Sequence, residues 1–219
     1  MRSTAARALD AWAQRPRLDP KLEARLDEGI EEAERFFMGE SKVQRARDKV
    51  ARLLDEDSIP YALIGAMALN AYGYERVTVD VDLLLTREGL ESFKEKHLEF
   101  GYVEKFAGSK GLRDTEFGVP IDVVLAGEFP GDGLPKPVVF PDPADAAVRG
   151  EHILLPLPRM IELKLASGMT APHRLKDLAD VIEVIRILNL PANLAEELDP
   201  YVRAKYGELW QAAQAAERE

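Results

Sequence analysis

The sequence predicts an α/β (α+β) fold, a mixed β-sheet with flanking helices and additional helices towards both ends of the chain. Three observations carry this reading. Between residues 61 and 126 short β-branched runs alternate with short helical patterns, each punctuated by glycine. Before and after that stretch, apolar residues recur at helical spacing. The chain has 219 residues, 46% of them hydrophobic and 31% charged, which is long and apolar enough for a true core and excludes a disordered chain.

The elements follow in order. Leu18, Leu22, Leu26 and Ile30 recur every four residues among charges, an amphipathic helix entered after Asp19-Pro20. Ser41 is a suitable N-cap for a second helix that puts Val43, Ala46, Val50, Leu53 and Leu54 on one face and is broken by Asp57-Ser58-Ile59-Pro60. A buried strand is expected over 61–64 and a short helix over 66–72, closed by Gly73. A β-branched strand should cover 77–85 and a helix 88–100, with Leu90, Phe93, His97 and Leu98 inward. Two shorter strands are expected over 102–106 and 112–117, and another over 120–126. Residues 127–143, rich in Pro and Gly, read as a loop. His152 precedes a strand, and helices follow over 159–167, 173–188 and 201–217. This divides the chain into a helical appendage (1–58), a central α/β core (59–130), and a loop and helical region completing the site (131–219).

Composition narrows the function. Lys plus Arg number 29 against 39 Asp plus Glu, a net charge of −10, so nucleic acid is not held by bulk charge. The charge is uneven: residues 59–132 carry 13 acids and 7 bases, whereas 159–188 carry 4 acids and 5 bases. An acidic middle followed by a basic-leaning segment suits carboxylates that hold cations beside Lys or Arg that meet an anion, although solvated surface charge has the same pattern. There is no cysteine, hence no disulfide or thiolate chemistry, as suits a cytoplasmic protein. No apolar run is long enough to span a membrane, and the first residues do not read as a secretory signal. The three histidines lack zinc-ligand spacing, so no zinc is expected. Trp12, Trp210 and the other aromatics form no stacking stripe and read as packing residues.

The chemistry is concentrated in a few residues. On a strand, Asp80 and Asp82 point the same way, about 6 to 7 Å apart, while Val79, Val81, Leu83 and Leu85 face the other side. Two carboxylates on an apolar strand repel one another and are costly to desolvate, and a divalent cation removes that penalty. Asp122 stands alone in Ile121-Asp122-Val123-Val124-Leu125. If its strand lies beside the one carrying Asp80, three acids converge. Gly65 ends a strand and opens a short helix, where backbone N–H groups attract anions and a missing Cβ lets phosphate come close. Taken singly, Asp-x-Asp also suits a solvated edge strand, and Gly65 a plain turn.

These residues resemble the nucleotidyltransferase superfamily of the DNA polymerase beta type, with Gly65-Ala66, Asp80-x-Asp82 and Asp122 in the places of its pattern. The run through Gly65, Ala66, Ala68, Gly73, Arg76, Thr78, Asp80 and Asp82 is similar to minimal and abortive-infection-type members. The likeness covers about residues 60–126 and, more loosely, 158–188. Ala66 departs from the general pattern, which has Ser or Gly, so no hydroxyl is offered to phosphate there.

The resemblance implies a nucleotidyltransferase-like sheet and transfer of a nucleoside monophosphate from an NTP, such as ATP, to an acceptor hydroxyl. Asp80, Asp82 and Asp122 would bind Mg²⁺ or Mn²⁺, and Asp122 would accept the acceptor's proton. Gly65 and the Ala66 backbone would hold phosphates, with Lys164 and Lys176 assisting. Asp177 would orient a lysine or contact the nucleotide, and Arg76 is a phosphate-binding or structural arginine. The acceptor would be a tRNA end or a cognate toxin or antitoxin protein, with an antibiotic-type small molecule as the alternative. Another reading is a catalytically silent, antitoxin-like module that binds a partner through its N-terminal helices.

Overall fold

The computed structural model describes residues 19–216, which divide into two compact units between Ser41 and Lys42. Leu18, Trp12 and the residues before it, and the end of the last helix at Glu217, lie outside the described residues. The first unit is helix α1 (Pro20–Phe37), capped by Asp19, whose side chain accepts the Lys21 N–H at 2.8 Å. Its Leu22, Leu26 and Ile30 form the expected stripe, and all three are exposed.

The second unit opens with α2 (Lys42–Glu56), which buries Val43, Ala46, Val50 and Leu54. Strand β1 (Tyr61–Ile64) leads into α3 (Gly65–Ala71), β2 (Val81–Leu85) and α4 (Arg87–His97). Then come β3 (Tyr102–Glu104), β4 (Leu112–Asp114) and β5 (Pro120–Leu125). After a long connection come α5 (Pro143–Ala146), β6 (Val148–Arg149) and β7 (Ile153–Leu154). Helices α6 (Leu157–Thr170), α7 (Leu175–Ile187) and α8 (Pro200–Ala216) finish the chain, with 3-10 turns at Pro172–Arg174 and Ala192–Glu196. No described helix is long and apolar enough to cross a membrane.

The seven strands form one mixed sheet in the order β3-β4-β5-β2-β1-β7-β6, so the expected fold class holds. Near its centre β2 pairs antiparallel with β1 and parallel with β5. Ala62, Ile64 and Leu84 join residues of α6, α7 and α8 in the main apolar core, around fully buried Leu165, Val181 and Tyr206. Leu63, Leu83 and Leu85 are equally buried outside that core, so the central strands are covered on both faces and read as continuous apolar runs.

The expected strand over 77–85 is too long. Pairing begins only at Val81, and Val79 is 73% exposed rather than packed with Val81, Leu83 and Leu85. Among the described residues no strand partners 77–80. Instead the Asn70 side chain holds this segment, donating to the Arg76 carbonyl at 2.9 Å and accepting the Arg76 N–H at 2.7 Å. The helix expected over 88–100 ends at His97, with Leu98 and Tyr102 forming a lone bridge, and its N-terminus is capped by Thr86. Elsewhere in the second unit the expected elements differ by one to three residues at their ends, while α5, β6 and the 3-10 turn at Ala192–Glu196 had not been expected.

Candidate active site

The three acids meet because two strands are in register. In the parallel pair β2–β5, Asp82 stands opposite Asp122, so both carboxyl groups leave the same face. Asp80 lies in the bend just before β2, where Thr78 Oγ1 donates to its Oδ1 at 2.6 Å. One carboxylate oxygen from each of Asp80, Asp82 and Asp122 lies within 4.8 Å of the others. The convergence therefore holds although Asp80 is not in the strand.

Gly65 has a part in this arrangement that its sequence position does not reveal. Ile64 pairs with Asp82 across β1–β2, and Gly65 follows with φ +64°. A Cβ on Gly65 would come within 2.6 Å of Asp82 Cγ and 2.9 Å of its Cβ. The missing side chain leaves room for the Asp82 carboxyl group. Held there, Asp82 has its pKa pushed up to about 7, chiefly by burial and then by the charges of Asp80 and Asp122.

All the sequence-predicted residues (Gly65, Ala66, Arg76, Asp80, Asp82, Asp122, Lys164, Lys176 and Asp177) line one cavity of about 650 Å³. Lys164 does not stand free in it. Its ammonium is 2.9 Å from Asp177 Oδ1 and 2.8 Å from Asp180 Oδ2, and Ser167 Oγ donates to Asp177 at 2.7 Å. Arg76 joins the network through Asp180 at 3.3 Å. Two cations thus meet two carboxylates, and this patch of wall is close to neutral. Lys176 and its neighbour Arg174 are exposed, line the same cavity, and have no ion-pair partner among the described residues. They are the wall's uncompensated positive charge.

Sequence reasoning gave no role to several residues here. Asp180 pairs with both Lys164 and Arg76, and its position three residues after Asp177 on a helix was the available signal. Lys105 is ion-paired with Asp122; it is distant in sequence, and only the β3–β4 hairpin brings it in. The histidines stay apart from the site: His97 stacks near Phe93 at 4.6 Å and bonds Asp57 at 2.7 Å. Among the described residues the acidic triad is the one group of metal-ligating type, and Trp210 packs by donating to the Leu190 carbonyl at 2.9 Å.

No family model matches the sequence, and a search of curated proteins gives no match. Among solved structures the chain is similar to ANT(2")-Ia in complex with adenylyl-2"-tobramycin, at 14% identity and a TM-score of 0.47, over 79% of this chain and 97% of that one.

Proposed function

We propose that this protein is a nucleotidyltransferase that moves a nucleoside monophosphate from an NTP to an acceptor hydroxyl and releases pyrophosphate. The observation that carries the reading is the meeting of Asp82 and Asp122, from one strand pair, with Asp80, from the bend before it, over a cavity also lined by Arg174 and Lys176. The triad fits a hard divalent cation: it offers only carboxylate oxygens, and burial first, then the charges of Asp80 and Asp122, makes the ionised form of Asp82 costly, a cost a bound cation would offset. Bound Mg²⁺ or Mn²⁺ would supply charge neutralisation at the reacting phosphate.

The chain's own residues do the rest. Asp122, 45% exposed, takes the proton as the acceptor oxygen bonds to the α-phosphorus and the bond to the bridging oxygen breaks. Lys176 and Arg174 meet the departing pyrophosphate, together with backbone at Gly65 and Ala66. Asp177 and Asp180 fix Lys164 at the wall, and Arg76 serves the same network. In this reading the core over 59–130 carries the acids and residues 131–219 complete the site.

The acceptor we propose is a tRNA end, in keeping with the resemblance to abortive-infection-type members and with the exposed cations of the rim; a cognate protein and an antibiotic-type small molecule are the other arms of the test. Radiolabelled NTPs are incubated with the protein, Mg²⁺ or Mn²⁺, and in turn total tRNA, cell lysate and an aminoglycoside panel. Label is expected on tRNA, reduced on the order of 10²-fold or more in Asp80→Asn and Asp82→Asn. Equal behaviour of wild type and variants on every acceptor overturns the reading.

A second reading, a silent partner-binding module within a toxin–antitoxin pair, draws on the exposed Leu22, Leu26 and Ile30 of α1. It expects no thermal shift with Mg²⁺ and any NTP, together with a stable complex with the product of a neighbouring gene.

A further inference from the structure

Lys105 immediately follows β3, and its ammonium sits on Asp122 Oδ1. The hairpin is shaped for this contact. A Cβ on Gly111 would lie 3.0 Å from Lys105 Cδ and 3.3 Å from Asp122 Oδ1, so a bare backbone there lets the lysine lie over the carboxylate.

The loop itself does not depend on the pair. Lys94 Nζ donates to Glu104 Oε1 and to the Ser109 carbonyl, each at 2.6 Å. The Gly108 N–H reaches Glu104 Oε2 at 2.7 Å, and the Gly111 N–H reaches Ser109 Oγ at 3.0 Å. The Lys105 N–H closes the turn on the Gly111 carbonyl at 3.1 Å. Four of these bonds reach the backbone, whereas the Lys105 side chain, 30% exposed, has Asp122 as its ion-pair partner. The side chain can therefore leave without the loop.

An ammonium and a divalent cation compete for the same carboxylate lone pairs. The geometry points to Lys105 as a resident counter-ion that serves two anions in turn: Asp122 while no divalent cation is bound, and the phosphates of the nucleotide once Asp122 is taken. A four-carbon stem on a fixed backbone keeps the released ammonium inside the cavity that Lys105 lines. This inference rests on the nucleotidyltransferase reading and adds a residue to it.

Calorimetric titration of the full chain with Mn²⁺ alone, and then with tripolyphosphate at saturating Mn²⁺, tests it. Lys105→Met is expected to bind Mn²⁺ about two- to fivefold more tightly, the gain from losing one partly exposed ion pair. It is expected to bind tripolyphosphate more weakly by a similar factor. Lys110→Met, which removes a cation paired with Glu128 at 2.6 Å in the same cavity, should leave Mn²⁺ affinity unchanged and so controls for net charge. Unaltered or weaker Mn²⁺ binding by Lys105→Met overturns the inference. So does unaltered tripolyphosphate binding, or a Lys110→Met variant that behaves like Lys105→Met. If the wild type binds no Mn²⁺, the nucleotidyltransferase reading falls as well; if it binds both ligands and Lys105→Met matches it, the role of Lys105 alone falls.

Discussion

At the residue scale, Gly65 and Asp82 form one unit. Gly65→Ala places a Cβ in left-handed backbone and against the Asp82 carboxyl group, two costs at once. A thermal melt of this variant is expected to fall on the order of 5 °C or more below wild type, with weaker Mn²⁺ binding. Asp82 also sets a pH dependence. Its pKa is about 7 in the folded chain against an ordinary 3.8, so the fold holds this proton more tightly than the unfolded chain does. The stability this contributes is complete below about pH 4 and is lost as pH rises through about 7. In EDTA, Asp82→Asn is expected to melt above wild type at pH 8, by on the order of 5 °C, and to lose that advantage at pH 4. A melting temperature for Asp82→Asn at or below wild type at pH 8 would contradict the raised pKa of Asp82. Asp57 has the opposite sign: hydrogen bonds from Lys96 and His97 hold its pKa below the usual carboxylate value, so its contribution is present above that value and fades in acid.

At the element scale, the α6–α7 junction is an ion network inside protein. Lys164, Asp177 and Asp180 are all largely buried, so Lys164→Met leaves Asp180 with Arg76 alone and Asp177 with only the Ser167 hydroxyl. Urea unfolding is expected to show a loss of about 3 kcal/mol, partly recovered when Asp180→Asn is added. The same scale shows what the sequence made legible. β1, α3 and β5 could be read directly, since apolar runs bounded by Gly and Pro have few other interpretations. β2 was overextended because Val77 and Val79 continue its alternation, and nothing local reveals that Asn70, rather than a neighbouring strand, holds that backbone. β7 was expected after His152 and joins the sheet through Leu63 of β1, whereas β6, two residues long, pairs only with β7 across a short hairpin and is too brief to leave a pattern. Within the site, the acids were visible as charges isolated among valines and leucines. Lys105 was not, because a lysine after a short strand is ordinary until the hairpin lays it over Asp122. Lys164 was found, but its neutralisation by Asp177 and Asp180 depends on how two helices pack.

At the scale of the whole molecule, the cavity joins the sheet to the helices that follow it, so a ligand that fills it should stabilise the second unit as a body. Mn²⁺ with a non-hydrolysable NTP, each at about 100 times its dissociation constant, is expected to raise the melting temperature by on the order of 5–10 °C. EDTA should abolish the shift, and Asp122→Asn should lack it. Scanning calorimetry decides the matter, and a wild-type melt indifferent to both ligands would favour the silent module.

The pairing of Asp82 with Asp122 across β2 and β5 also determines where this chain tolerates changes of length. A single deletion inside either strand turns its remaining side chains over and disarms the site. The segment 132–135 is exposed in the connection between β5 and α5, so it is the natural place for insertions. A designer reshaping the cavity would therefore graft there and leave the five rungs that pair β2 with β5 alone.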